Sequence, residues 1–231
     1  GAPEDLPDPA PLLTLNQPRS ILLTGVGGTG VVTVGALIGM AAHLEGKGVS
    51  LIDMAGLAQK GGAVTTHIRL AAHPDQINAI RIAPGGADLM LGCDALTSAG
   101  KSAVMLLNPD GHIVANTYEM MTGAFVRNRD FRLPGKDMRE RLEAAVPEGH
   151  ALLTDATDLA RHLLGDTIGA NLFLLGVAWQ KGLIPLGRAA IAEAIRLNGV
   201  AIDLNLSAFA WGRAWAADPD RIETRSTRPN A

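Results

Sequence analysis

Two periodicities divide this chain. The unbroken apolar run Ile21-Leu22-Leu23 ends in a glycine-rich turn, and the stretch after it, Val31 to Ala42, is apolar at helical spacing. This predicts a first strand over "RSILLTG" and a helix from about Gly28 to Leu44. Gly46 ends that helix as a left-handed terminator, with His43 and Lys47 near the negative end of its dipole. "GVSLIDM" predicts a second strand and completes a βαβ unit. "AVTTHIRLA" alternates between two faces and predicts a third strand. "QINAIRIA" and "ADLMLGCD" read as further strands around Pro84-Gly85-Gly86, and "AVMLLNPDGHIVAN" reads as a hairpin turning at Asn108-Pro109-Asp110-Gly111. "GKDMRERLEAAVP" predicts a helix and "HALLTDA" a strand. Thr157 to Trp215 predicts several helices broken near Gly165, Pro185 and Gly199. The expected fold is α/β, a Rossmann-like three-layer domain with a βαβ glycine-rich turn and a helical C-terminal portion.

The ends break these patterns. Residues 1–18 carry five prolines among acidic residues and predict an extended segment, and 218–231 is polar and unpatterned. Both read as linkers around a domain at 19–217, as in a module of a longer polypeptide; a short processed protein is the plainer alternative. Composition adds exclusions. The chain has 20 basic and 23 acidic residues and a net charge of −3 with no basic stripe, which argues against a nucleic-acid partner. The longest apolar stretch falls short of the roughly 20 residues that span a bilayer, so neither a membrane partner nor a secretory signal is expected. Cys93 is the single cysteine. It excludes an internal disulfide or a cluster held by this chain's cysteines alone, and fits a reducing cytoplasm.

The candidate chemistry lies in two glycine-bearing segments. Gly25, Gly27, Gly28 and Gly30 stand between strand and helix, where bare backbone permits a tight turn, close helix packing and approach of an anion to free N–H groups. Asp53 closes the second strand, where a dinucleotide enzyme holds a ribose hydroxyl, so an NAD- or FAD-binding domain is one reading. The same glycines serve turn geometry and packing alone in the plainer one. An adenylating enzyme with Cys93 as nucleophile ranks last, since a small buried residue explains Cys93 better. Further on, Gln59-Lys60-Gly61-Gly62 places an ammonium on a flexible elbow suited to phosphate or carboxylate; a plain turn with a solvated lysine is the alternative.

These segments together resemble the gamma domain of the 2-oxoacid:ferredoxin oxidoreductases, of the pyruvate and especially the indolepyruvate type. The resemblance rests on "GVGGTGVVTVGALIGMAA", "DMAGLAQKGGAVTTHIRLA", "GGADLMLGCD", "GANLFLLGVAWQKGLIP" and "LNLSAFAWGR", spanning about residues 20 to 213. It implies a cytoplasmic oxidoreductase that converts a 2-oxoacid and coenzyme A (CoA) to acyl-CoA and carbon dioxide and passes electrons to ferredoxin. The chain lacks a Gly-Asp-Gly…Asn-Asn signature, so thiamine diphosphate, its Mg and the 4Fe–4S iron–sulfur clusters are expected on partner domains, fused or separate, within an oligomeric enzyme that this chain completes and that is inactive without them. The resemblance also implies that Lys60, with Gly61 and Gly62, contacts CoA or the acyl intermediate by orienting an anion, Gln59 adding a hydrogen bond. The alternatives are a stand-alone NAD- or FAD-binding dehydrogenase domain and a non-catalytic interaction module. Asn171, Asn205 and Arg213 match positions where the fixing of helix ends or an interface outweighs chemistry. His67 and Arg69 share a strand face with Thr65, read as half-exposed or facing an interface, and Arg127, Asn128, Arg129 and Arg132 as a solvated basic loop.

Overall fold

The computed structural model describes residues 2, 5–27, 30–55, 62–118 and 135–227. Its centre is a six-stranded sheet in the order β2-β3-β1-β4-β5-β6. The strands are β1 (Arg19–Val26), β2 (Gly48–Ala55), β3 (Ala63–Ala71), β4 (Ala87–Gly92), β5 (Leu107–Asn116) and β6 (Ala151–Thr154). Neighbours from β1 to β6 pair in parallel, whereas β3 runs antiparallel to both β1 and β2. The first two strands are therefore joined through α1 (Val31–Leu44) but separated in the sheet by β3.

Covering both faces of the sheet explains the unbroken apolar runs. Ile21 and Leu23 point to one core, with α1 and the helices of the carboxyl-terminal half: α5 (Ala156–Leu164), α6 (Ala170–Gln180), α7 (Arg188–Asn198) and α8 (Ile202–Ala217). Leu22 points the other way, into a core shared with the short helices α2 (Ala95–Ala99) and α3 (Lys101–Val104) and with α4 (Gly135–Ala144). The three layers are thus helices, sheet, helices. Gly46, Gly165 and Gly199 each adopt positive φ just beyond a helix, so the breaks fall where the sequence places them. Among the described residues no helix is long and apolar enough to cross a membrane.

Three expectations are corrected. "QINAIRIA" is not a strand: it contains the end of a 3-10 turn, Pro74–Gln76, and a pinned irregular segment. Both lanes beside β4 are taken by β1 and β5, and Ile82 is buried while Ile80 stays exposed. The hairpin at Asn108-Pro109-Asp110-Gly111 is instead an irregularity within β5. The register jumps from Ala87↔Leu107 to Leu89↔His112, so the turn residues bulge from one strand. The polar stretch after residue 217 contains a further helix, α9 (Pro219–Ser226), capped by Asp218 and anchored by buried Ile222. Residues 5–18 form no helix, and they pack on the α6–α7 connection: Leu12 and Leu13 both donate backbone N–H groups to Gly182 O at 2.9 Å.

Candidate functional site

The glycine turn sits at the carboxyl end of β1. A Cβ on Gly25 would run into the Val31 side chain, so this position lets the first turn of α1 lie against the strand. Gly27 N–H donates to Gly62 O at 2.8 Å, which ties the turn to the start of β3. Gly30 caps α1 at φ +84° and, as a glycine, offers no side chain to the first N–H groups of that helix. Gly62, also at positive φ, is the described end of the lysine elbow. Gln59, Lys60 and Gly61, like Gly28 and the basic loop with Arg127, Asn128, Arg129 and Arg132, lie outside the described residues. Of the predicted positions, the structure thus brings together Gly25, Gly27, Gly30 and Gly62.

Beside the turn lies a cavity of about 730 Å³. It opens at the carboxyl ends of β1, β4 and β5, the usual ligand side of a parallel α/β sheet. Gly30 and Thr33 of the α1 start, Cys93-Asp94 after β4, Asn116 at the end of β5 and the starts of α5, α6 and α8 contribute to its walls. Helices α6 and α8, like α1, begin there without a side-chain cap. Asp94 is buried and committed to α2: its Oδ2 accepts from Thr97 N at 2.8 Å and Thr97 Oγ1 at 2.7 Å. Ser98 Oγ lies 2.8 Å from Thr24 Oγ1 and bonds Asp94 O, fastening α2 to β1. Asn116 donates to Thr157 Oγ1 at 2.8 Å and accepts from the N–H groups of Tyr118 and Ala156, both at 3.1 Å. It fixes the β5 end to the α5 start. Sequence reasoning missed Asp94 and Asn116 as wall residues; a polar residue just after a buried apolar run is the signal that marks them.

Two asparagines of the family pattern reach this cavity. Asn171, in the first turn of α6, lies close to the glycine turn: its Nδ2 would be 3.5 Å from a Cβ on Gly30. Asn205, nine-tenths buried on α8, donates from Nδ2 to Val200 O at 3.0 Å. Next to that carbonyl, Ala201 is the sole non-glycine residue at positive φ (44°) among the described residues, a strained conformation at the cavity wall. Arg213 is remote from the cavity. Its Nε donates to Gln180 Oε1 and one Nη to Leu6 O, both at 2.9 Å, while the guanidinium lies 4.9 Å from the Trp179 ring centre. It holds the amino-terminal segment to the helices. The helices themselves cross at two glycines: a Cβ on Gly176 would strike the Phe209 carbonyl, and one on Gly212 the Phe173 carbonyl.

The remaining candidates are occupied by structural duties. Asp53 accepts a 2.6 Å bond from Thr66 Oγ1 of β3, the strand that separates it from the glycine turn. Burial, and then the neighbouring Asp94 carboxylate, push the Cys93 thiol up to about 12, so it is protonated at neutral pH and no nucleophile. His67 Nδ1 accepts from Ile82 N at 2.9 Å, and Arg69 donates to Ala79 O at 3.2 Å, pinning the irregular 77–83 segment against β3. Burial and then Arg81 lower the pKa of His67, consistent with a neutral ring accepting at Nδ1.

Comparison with known proteins matches residues 20–215 to the pyruvate ferredoxin/flavodoxin oxidoreductase family. The Archaeoglobus fulgidus indolepyruvate oxidoreductase subunit IorB is 26% identical over 195 residues, 84% of this chain and 92% of that one. The Pyrococcus furiosus pyruvate/ketoisovalerate oxidoreductases common subunit gamma is 28% identical over 173 residues, 74% of this chain and 82% of that one. Among solved structures, the keto/oxoacid ferredoxin oxidoreductase gamma subunit from Geobacter sulfurreducens shares the fold at a TM-score of 0.61 and 19% identity, covering 86% of this chain and 98% of its own. The 2-oxoglutarate:ferredoxin oxidoreductase from Magnetococcus marinus, with 2-oxoglutarate, coenzyme A and succinyl-CoA bound, shares it at 0.62 and 17% identity, over 87% of this chain and 31% of that one. The chain belongs to the pyruvate ferredoxin/flavodoxin oxidoreductase family, as a gamma-type component of a 2-oxoacid:ferredoxin oxidoreductase.

Proposed function

We propose that this chain is the gamma component of a cytoplasmic, indolepyruvate-type 2-oxoacid:ferredoxin oxidoreductase, that residues 19–217 are its functional domain, and that it borders the active site and contacts CoA. The observation that carries the reading is the match along residues 20–215 to a family whose indolepyruvate-type relatives it covers nearly end to end. The cavity at the carboxyl ends of the strands supports it with a place for a ligand beside the glycine turn. The residues present do not fit thiamine diphosphate or an iron–sulfur cluster. A single, protonated cysteine cannot build a cluster, and the diphosphate signature is absent from the sequence. Those groups belong to partner domains, and no catalytic residue is assigned to this chain. A dinucleotide dehydrogenase is the weaker reading, because Thr66 holds Asp53 away from the ribose position.

This chain's share of the work is positional. The proposed CoA-binding set is Gly25, Gly27, Gly28, Gly30, Lys60, Gly61 and Gly62; of these, Gly30 lies on the cavity wall, and Gly25 and Gly27 set the turn that carries it. Lys60 holds an anionic part of CoA or the acyl intermediate by charge, without proton transfer. The chain alone has no turnover; with its thiamine- and cluster-binding partners it supports reduction of an acceptor dependent on both 2-oxoacid and CoA. Turnover by the isolated chain would refute this. Lys60→Ala removes one charge-assisted contact worth about 1.5–3 kcal/mol. The KM for CoA in the assembled enzyme rises about ten- to hundredfold, and an unchanged KM removes Lys60 from the site.

A further inference from the structure

We infer that the outer flank of α1 and the free edge of β2 form one face that receives a second copy of this chain about a two-fold axis, β2 pairing antiparallel with its counterpart so that the sheet continues across both copies. None of Val32, Ala36, Met40 or Leu51, the side chains that carry this face, lines the cavity.

The two edges of the sheet are built differently. At one edge β6 has four residues and offers little to another strand. At the other, β2 has eight, in unbroken register with β3, with no proline, lysine, arginine or bulge, and no described strand on its far side. Proteins blunt an edge of this length unless something covers it. Beside it, the fourteen residues of α1 include no Lys, Arg, Asp or Glu, and their one ionisable side chain is His43. A surface helix ordinarily turns charge outward. Here the outward side shows Val32 and Met40, 54% and 40% exposed, with exposed Ala36 one turn from each. Leu51 of β2, 41% exposed, joins helix to strand. It fills the gap left by two glycines: a Cβ on Gly39 would stand 2.5 Å from Leu51 Cδ1, and one on Gly35 3.7 Å from its Cδ2. Those glycines let α1 lie close over β2 and bring its flank level with the strand edge.

Two features select a second copy as the occupant. The first is complementarity. A strand edge meets its own copy about a two-fold axis only in the antiparallel sense, where each row of donors and acceptors finds its match. Identical faces also meet with identical charges, so such a face must be nearly neutral. Asp53 is the only charge on β2, and Thr66 of its own sheet donates to it. With the axis at Leu51, Asp53 faces Val49 of the second copy and stands about 14 Å from its own counterpart. The second feature is area. Val32, Ala36, Met40, Leu51 and the edge of the eight-residue strand expose roughly 600 Å² per copy, about 1,200 Å² in all, which is the lower end of a specific interface and suits a dimer of micromolar strength.

The test is the mass of the 231-residue chain in sedimentation equilibrium, from micromolar to millimolar concentration. The parent passes from the mass of one chain to that of two. Leu51→Lys and Ala36→Glu, both at exposed positions, each set two like charges across the axis and raise the dissociation constant at least about tenfold. Ala36→Cys supplies a second readout. A bifunctional maleimide joins two copies of that variant, in the isolated chain and in the assembled enzyme. The parent, with Cys93 alone and its thiol pushed up to about 12, is not joined. A parent that stays monomeric at millimolar concentration overturns the inference, as does a dimer whose strength neither charged variant alters. Cross-linking of the Ala36→Cys enzyme to a partner domain in place of a second copy assigns the face to that partner and overturns it equally.

Discussion

Gly212→Ala separates helix propensity from helix packing by sign. In an unencumbered helix interior the change gains about 1 kcal/mol, because alanine loses less backbone freedom on folding than glycine. At the α6–α8 crossing the added Cβ would meet the Phe173 carbonyl oxygen well inside contact distance, with Phe173 C at 2.8 Å and Val177 N at 3.0 Å. All three atoms belong to a helical backbone buried on both sides, so no side chain can swing away. The reciprocal contact, Gly176 on the Phe209 carbonyl, holds the same two helices at the same separation. They must move apart, and overpacking of this kind costs about 1–3 kcal/mol, towards the upper end where backbone opposes backbone. The expected net is a loss of about 2 kcal/mol, or about 4–8 °C in melting temperature for a chain of this length. Ala210→Gly, two residues away and on another face of the same helix, provides the scale: it loses about 1 kcal/mol through propensity alone. Thermal and urea unfolding of the three proteins measure these differences. A Gly212→Ala protein more stable than the parent would show that the crossing has slack and refute the packing account. The functional consequence follows from geometry, since α6 and α8 carry Asn171 and Asn205 to the cavity, so the surviving folded variant also shows a raised KM for CoA in the assembled enzyme.

The remaining predictions use other parts of the molecule. His67 is neutral in the fold and its pKa lies below the ordinary 6.5; its contribution to stability is complete above 6.5 and disappears as the pH falls through the lowered value. The protection factor of the Ile82 amide, its exchange relative to an unprotected amide at the same pH, therefore falls on acidification, whereas in His67→Leu it is low at every pH; a protected Ile82 amide in that variant refutes the pin. Arg213→Lys keeps the charge but cannot serve Gln180, Leu6 and Trp179 together. It exposes residues 5–18 to limited proteolysis and costs about 1–3 kcal/mol; an unchanged digestion pattern contradicts the bracket. Cys93, with its thiol pushed up to about 12, alkylates far more slowly at pH 8 than a free thiol. Labelling at the rate of free cysteine would show that burial does not protect it.

What was legible in the sequence depended on whether local pattern or sheet occupancy decided the outcome. Strand β1, helix α1 and the breaks at Gly165 and Gly199 follow from apolar runs and positive-φ glycines, local signals that tertiary packing reinforces. "QINAIRIA" carries a strand-like pattern yet finds no lane, because β4 already has β1 and β5 as neighbours; single-segment periodicity holds no information about vacancies in a sheet. Asn-Pro-Asp-Gly is turn chemistry in either outcome, and only the partner of the flanking residues distinguishes a hairpin from a bulge. At the cavity, Asn171 and Asn205 were visible as family positions, whereas Asp94, Asn116 and the strained Ala201 acquire meaning from residues distant in sequence. The bond from Ile82 N–H to His67 was equally hidden, since a histidine on a half-apolar strand gives no sign of which backbone group will meet it.

The placement of β3 explains how a glycine pattern shared with dinucleotide-binding domains serves another purpose here. In a dinucleotide site the acidic residue that ends the second strand lies beside the glycine turn, because the two strands are adjacent. Here β3 runs between them, and its Thr66 bonds the acid in question, Asp53. The same strand begins at the lysine elbow, where Gly62 O receives the Gly27 N–H. One inserted strand thus removes the ribose anchor and brings a different loop to the turn. Two of the turn's glycines answer to protein neighbours, Gly25 to Val31 and Gly27 to Gly62, which leaves the uncapped start of α1 as the described part of the motif that faces the cavity. The other cavity walls come from α6 and α8, helices that a mononucleotide-binding βαβ unit does not contain. The specificity of this domain is therefore expected to vary with its helical half while the turn stays the same, so exchanging residues 197–205 between relatives should move the affinity for CoA, and exchanging the glycine turn should not.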